Sequence, residues 1–241
     1  MDATAAAIFN ETNRLGGALW AKSTLISGTN SSPKMVSTML FRRLWSHHRG
    51  YALLFNDNLN VDADILLRAS IEASICIAAN YHLPDGLWLA LKQDALHTVL
   101  GHVKQFRDAG DMEMVKAAEA TCRWISEGLP SNAKGKKLEM KDLADAGKVP
   151  ILYHMYKALS GMSSHVSGLS IMRGVVTDDG PDLQDDWTRL NRQVHPVWQA
   201  VATLQGCFFQ AIMLEENGHL ETCVGLLTQV NACLDSLGFG Y

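Results

Sequence analysis

The sequence predicts an all-α protein, a bundle of about seven to eight helices packed around one central apolar helix. Long segments carry apolar residues at the three- and four-residue spacing of a helix, and no stretch alternates apolar and polar residues for long, as a strand would. The most hydrophobic segment, residues 62–80 (DADILLRASIEASICIAAN), contains no glycine or proline and is apolar around most of its helical circumference. A helix of that kind is buried on most sides, so we expect it at the centre.

The other helices are predicted from their apolar repeats and from their start and stop signals. They cover, approximately, residues 3–27, 32–55, 84–108, 111–128, 150–166, 182–217 and 220–237. The strongest start signal is Ser32 followed by Pro33, an N-cap residue with proline in the first turn, and Asp111 is the predicted N-cap of the helix at 111–128. A kink is expected at Pro196. Polar loops are predicted at 129–138, which carries three lysines, and at 173–186, which holds five aspartates.

Length and composition indicate a single domain, residues 1–241, in the cytoplasm. The chain is 47% hydrophobic, enough for one large core, with the N-terminal helix 3–27 packed on a bundle that spans 32–237.

The net charge of −4 gives no general attraction for nucleic acid. Five scattered cysteines without a CxxC motif suit reduced core residues, and the first residues lack a secretory signal. The apolar run at 62–80 contains Asp, Arg and Glu, so we expect no membrane span.

A polar stripe on the central helix is the first candidate site. Asp64, Arg68 and Glu72 follow one another at intervals of four residues, which places their side chains on one helical face. One alternative is a solvent-facing edge with ion pairs of about 0.3–0.5 kcal/mol each. The other places Arg68 and Glu72 inside the bundle, where each must be paired and hydrogen-bonded. In that case the pair fixes the packing or forms part of a site.

The second candidate is the segment YHMYKALSGMSSH, which begins at Tyr153. On a helix, Tyr153, Tyr156 and Ser160 share one face and offer hydroxyl groups to a ligand. His165 is a candidate general acid or base, the alternative being a histidine satisfied within the fold. His154 and His165 are roughly 16 Å apart along a straight helix, so they cannot share a metal ion there.

The third candidate is the segment RRLWSHHR, which begins at Arg42. Its arginines suit a phosphate group and Trp45 can stack on a base, although a solvated helix face has the same composition. The pattern R-x4-H occurs twice, as Arg42 with His47 and as Arg43 with His48. Those four residues are the candidate nucleic-acid-binding set.

Motifs for cofactors and metals are absent from the sequence. It contains no P-loop, no GxSxG, no HExxH and no closely spaced Cys and His of a zinc site. One ExxH, Glu216 to His219, includes Gly218 and lacks the second pair that a di-iron bundle needs. We therefore expect neither a metal nor a cofactor.

Two segments resemble a bacterial family of all-helical proteins that is a domain of unknown function. LLRASIE, which contains Arg68 and Glu72, resembles the L-L-R-x-x-x-E helix of that family. YKALSGMSSH, which contains Tyr156, Ser160 and His165, resembles its later Y-x-x-L-S-x-x-x-H-type segment, with a slightly longer spacing before the histidine. The resemblance covers roughly residues 35–215. It implies an intracellular helical bundle and brings no established activity with it.

The R-x4-H pattern resembles that of the HEPN ribonuclease superfamily, which is prominent in toxins and phage defence. The resemblance implies metal-independent cleavage of RNA, in which an arginine stabilises the phosphate, a histidine moves protons and the 2′-hydroxyl attacks. It also implies a homodimer with both active sites at its interface. HEPN members usually carry a polar residue directly after the arginine, whereas here Arg43 is followed by Leu44.

Two functions from different classes remain open. The first is a ligand- or partner-binding or regulatory bundle, in which Arg68, Glu72, Tyr156, Ser160 and His165 converge around a small molecule or protein partner, or form a structural polar core. The second is a HEPN-like ribonuclease with RNA as its substrate. For an enzyme built on the central helix, the predicted catalytic residues are His165, Arg68 and Glu72. The lack of a complete catalytic motif favours the binding function.

Overall fold

The computed structural model describes residues 3–29, 31–84, 86–162 and 189–239. Within these ranges the chain forms nine α-helices, one short π-helical segment and no strand. The α-helices are α1 (Ala3–Ser23), α2 (Pro33–Asn56), α3 (Asn60–His82), α4 (Gly86–Asp108), α5 (Met112–Ser126), α6 (Met140–Ala146), α7 (Pro150–Met162), α8 (His195–Leu214) and α9 (Asn217–Ser236). The π-helical segment is Leu190–Val194. The predicted all-α bundle is confirmed.

Helix α3 contains the predicted central segment and packs against α2, α8, α7, α6 and α4. Every residue from Ala73 to Asn80 is buried. Helix α8 is equally enclosed, since every residue from His195 to Leu204 is buried. It packs against α3, α9, α1 and α2. The bundle therefore has two central helices, whereas the sequence predicted only the first of them at the centre.

The segment Leu190–Leu214 is the one helix in the described part of the chain that is long and apolar enough to cross a membrane. Of its most apolar stretch, 72% is buried inside the bundle. The buried fraction is that of a core helix, whose apolar side chains are covered by its neighbours.

Two of the predicted start signals, Ser32 and Asp111, cap their helices through side-chain hydrogen bonds. The side chain of Ser32 accepts a hydrogen bond from the Met35 amide, and Pro33 occupies the first turn of α2. Asp111 caps α5 in the same way through the Met114 amide. The π-helical segment ends two residues before Pro196, where the sequence predicted a kink. The parts of the predicted helices at 163–166 and 182–188, and the acidic loop at 173–186, lie outside the described residues.

Helix α6 was not predicted, because it is only seven residues long and its sequence, MKDLADA, is mostly polar. It buries Leu143 and Ala144. Gly147 follows it and lies directly against α3, since a Cβ atom there would be 2.9 Å from the Ala79 nitrogen. This close approach positions the start of α7 against α3.

Helices α4 and α5 form a hairpin that packs on the bundle mainly through α4. Helix α5 packs against α4, and the two share a separate small core of Val103, Val115 and Ala118. Trp124 on α5 is 71% exposed. The main core lies elsewhere, and all five cysteines are free. Burial raises the pKa of the Cys76 thiol to about 12, so this cysteine is an inert core residue rather than a nucleophile.

Candidate functional site

Helices α3 and α7 bring four of the predicted site residues together. The Arg68 guanidinium lies over the Tyr156 ring, 4.7 Å from its centre. Its Nε donates to Ser160 Oγ at 3.0 Å, and its Nη2 donates to the Tyr156 hydroxyl at 2.9 Å. The same Nη2 is 3.0 Å from Glu72 Oε1. Arg68 and Glu72 are on α3, while the hydroxyl groups of Tyr156 and Ser160 are on α7. These four side chains therefore join the two helices, and we call them the Arg68 clamp.

The clamp is neither a solvent-facing edge nor a fully interior ion pair. The side chains of Arg68 and Glu72 are 21% and 28% exposed, between the two alternatives that the sequence left open. Tyr153 stacks beside Tyr156 with 6.1 Å between ring centres, so the predicted hydroxyl face is assembled. His165, the predicted acid or base of this cluster, lies outside the described residues.

Asp64, the third residue of the stripe, has a different environment. It is buried, and its Oδ1 lies 2.6 Å from Nδ1 of His195, which is also buried. The His195 ring stacks on Trp198. This pair joins α3 to α8 at the same end of α3 as the Arg68 clamp. Among the residues that the structure describes, no group of three or more His, Cys, Asp or Glu is placed to hold a metal ion.

His48 lies in the core, although it belongs to the predicted nucleic-acid-binding set. It is 0% exposed and contacts Thr203 Oγ1 through Nδ1 at 2.9 Å. Its ring lies between Phe9, with centres 4.7 Å apart, and Trp45, at 5.5 Å. Gln199 connects this group to Ser70 on α3. Burial lowers the pKa of His48 to about 4, so the ring is neutral near pH 7 and out of reach of RNA in this conformation.

The other three members of that set lie on the accessible side of α2. Arg42 and Arg43 are exposed, and His47 is partly buried. Arg43 Nε contacts His47 Nε2 at 3.3 Å, one helical turn apart. Burial and, second, the Arg43 charge lower the pKa of His47. The R-x4-H pairs themselves are split, because residues five apart on a helix point roughly 140° away from each other.

A cavity of about 510 Å³ between α1 and α2 was not predicted. Its apolar lining includes Phe9 and Phe55, and its polar lining consists of Arg49 with three asparagines: Asn10, Asn13 and Asn56. Among the described residues, Arg49 is the only charged residue of the lining, which contains no Asp or Glu. Arg49 belongs to the basic segment of the third candidate, but the asparagines on α1 form no motif. Only the packing of α1 on α2 brings them together.

Replacing Arg68 with Lys tests the clamp. Lysine keeps the charge near Glu72, but it has no Nε–H for Ser160 and no planar fork for Tyr156. We expect the free energy of unfolding to fall by about 1–2 kcal/mol in urea titrations. The matched control is Arg107→Lys, since the Arg107–Glu119 pair is 60% and 44% exposed and should contribute less than about 0.5 kcal/mol. Equal losses in the two variants would contradict the clamp.

Acid should destabilise the protein through His48. Its pKa is about 4 in the folded state and 6.5 ordinarily, so the unfolded chain binds more protons between those values and stability falls as the pH falls. The difference corresponds to about 3 kcal/mol between pH 6.5 and 4. Urea titrations across this range should show a shallower pH dependence for His48→Gln than for the wild type. His154→Gln, an exposed histidine on α7, should follow the wild type. If the free energy of unfolding falls equally steeply with pH in His48→Gln and in the wild type, burial of His48 does not cause the pH dependence of stability.

Comparison with known proteins assigns no family to this chain. No protein-family model matches the sequence, and no curated protein or solved structure is significantly similar to it. The resemblances to a bacterial helical family and to HEPN ribonucleases therefore stay predictions from short motifs. The function has to be inferred from the geometry of the side chains.

Proposed function

We propose that the protein is a non-catalytic binding module that holds a small, ring-bearing ligand in the α1–α2 cavity. The observation that carries the proposal is the cavity itself. Its volume of about 510 Å³ falls within the range of roughly 300–1,000 Å³ that is typical of small-molecule sites. Its lining combines apolar side chains with a few convergent polar groups, which is also typical of such sites.

Two aromatic residues favour a ligand with a flat apolar part. Phe9 and Phe55 line the cavity, and each is supported from behind by another ring. Phe9 stacks on His48, and Phe55 stacks on Tyr51 with 5.9 Å between ring centres. Leu53, which also lines the cavity, is 68% exposed, so a ligand there would remove apolar surface from water. A supported aromatic wall needs little reordering when a ring packs against it.

The composition of the lining favours binding over catalysis. The described residues that line the cavity include no His, Asp, Glu, Cys, Ser, Thr, Lys or Tyr. A general acid, a general base and a nucleophile are all drawn from those residue types. Asparagine and arginine recognise a ligand by hydrogen bonds and charge, which is what a binding or regulatory module requires.

In this proposal the Arg68 clamp has a structural role. Its donors reach Ser160, Tyr156 and Glu72, so most of its binding capacity is used to join α3 to α7. A direct role for Arg68, Glu72, Tyr156 and Ser160 in binding or catalysis stays a prediction. The same holds for partner proteins and for the cytoplasmic location.

Titration with three naphthalene derivatives tests the proposal. 1-Naphthol, 1-naphthyl phosphate and 1-naphthylmethylamine share a ring and differ in charge. At least one should raise the thermal midpoint, because ligand at a hundred times its Kd adds about 2.7 kcal/mol, a shift of roughly 5–10 °C for a chain of this size.

A cavity-filling variant locates the binding. Ala52 lines the cavity, so Ala52→Phe should abolish the shift. Ala117→Phe, an exposed position on α5, is the matched control and should bind like the wild type. If no probe shifts the midpoint, or if the shift survives in folded Ala52→Phe, the proposed function is wrong.

A HEPN-like ribonuclease, of the type found in toxins and phage defence, is the second candidate. The R-x4-H pairs are split, but Arg43 and His47, which are four residues apart, lie in contact and bring an arginine and a histidine together. The two side chains lie together on the accessible side of α2, 3.3 Å apart. The lowered pKa of His47 keeps its imidazole neutral near pH 7, as a general base requires. Arg42 is exposed on the same helix and can contribute charge for a phosphate.

Cleavage of labelled single-stranded RNA in the presence of EDTA tests this candidate. The wild type should cleave, while His47→Gln and Arg43→Gln should lose most of the activity, since mutating a general base or a phosphate-stabilising group commonly costs about a hundredfold or more. His165→Ala tests the other predicted histidine in the same assay. His102→Gln, at an exposed position on α4 outside both segments, is the control. Intact RNA after incubation with folded wild type would remove the ribonuclease from consideration.

A further inference from the structure

We propose that the ligand of the α1–α2 cavity is a ring-bearing oxyanion, a phosphate or a carboxylate, whose charged group binds Arg49. The inference rests on the proposed function, because it assigns a chemical class to the occupant of the same cavity. It adds a recognition residue, Arg49, and a role for the three asparagines.

The charge on the cavity lining favours an anion. Arg49 makes no ion pair or hydrogen bond with any described residue, in contrast to Arg14 and Arg107, whose guanidinium groups are bound to Glu11 and Glu119. No carboxylate lines the cavity within the described ranges, so an incoming anion meets an uncompensated positive charge. A guanidinium presents paired N–H donors that match the oxygens of a carboxylate or phosphate.

The amides are placed to complete the recognition. Asn10 and Asn13 are three residues apart on α1 and therefore share a face, and both line the cavity. Arg49 and Asn56 are seven residues apart on α2 and likewise share a face. Polar groups thus approach the cavity from two helices. Each amide offers N–H donors to oxyanion oxygens, and its carbonyl can accept from a polar ring edge.

The aromatic lining accounts for the rest of the ligand. A small inorganic anion would fill only part of about 510 Å³ and would leave Phe9 and Phe55 exposed to water. A ring attached to the anion would cover them. An anion with a ring therefore satisfies both the charged and the apolar parts of the lining, whereas a neutral ring or a bare anion satisfies one of them.

Calorimetric titration with matched probes tests the inference. We expect 1-naphthyl phosphate or 1-naphthoate to bind at least about tenfold more tightly than 1-naphthol, since a charge-assisted hydrogen bond is worth about a factor of ten or more. The phosphate and carboxylate arms identify the preferred oxyanion. Arg49→Gln should remove the preference for the anion, and Arg123→Gln should preserve it. Arg123 is the matched control, because it is also an exposed arginine without an ion pair to any described residue but lies on α5.

The outcomes separate this inference from the proposed function. If 1-naphthol and both anions bind with equal affinity, and all three fail to bind Ala52→Phe, the assignment of an oxyanion ligand is wrong while the proposed binding module is retained. An anion preference that persists in Arg49→Gln would overturn the role of Arg49. Absence of binding by every probe would overturn the proposed function and this inference together.

Discussion

The burial of polar side chains between α3 and α8 is the constraint on which the rest of the bundle depends. Asp64 is bonded to His195, Ser70 to Gln199, and Ser74 to the Ala202 carbonyl at 2.6 Å. An unsatisfied buried polar group costs about 1–3 kcal/mol, so each of these bonds is lost at a high cost when the helices shift. Apolar side chains alone would tolerate a shift more easily, because their contacts are non-directional. The polar pairs therefore set the register of the two central helices.

That register also determines which face of α2 is buried. His48 on α2 is hydrogen-bonded to Thr203 on α8. Ser37, also on α2, bonds to Gln210 on α8 at 2.5 Å. With these two residues held inward, the 3.6-residue period turns Arg49 outward, next to α1. Adjacent residues in one basic segment thus have opposite environments. The α1–α2 cavity exists because the inward face of α2 is fixed by α8.

The sequence predicted the helices well, since their signals are local. Apolar repeats and caps such as Ser32 and Asp111 depend on residues a few positions apart. The polar core was missed for the opposite reason, because His195 is paired with a residue 131 positions away. Asp64 was predicted to share a face with Arg68, because the helical period places both residues on one side of α3. The period does not tell which part of that face α8 covers. The cavity was missed for the same reason, since the asparagines of α1 acquire meaning only when α1 lies on α2.

The two arginines, Arg68 and Arg49, show how structural and binding roles are told apart. Motif resemblance drew attention to Arg68, yet its guanidinium is used within the fold by two hydroxyls and one carboxylate. Arg49 carries no such bonds to described residues and lies in a cavity with uncharged amides. A charged group beside a concave apolar surface can bind an oppositely charged ligand when no carboxylate neutralises it. The proposed binding function therefore rests on Arg49, which has no ion pair with any described residue, rather than on the better connected Arg68.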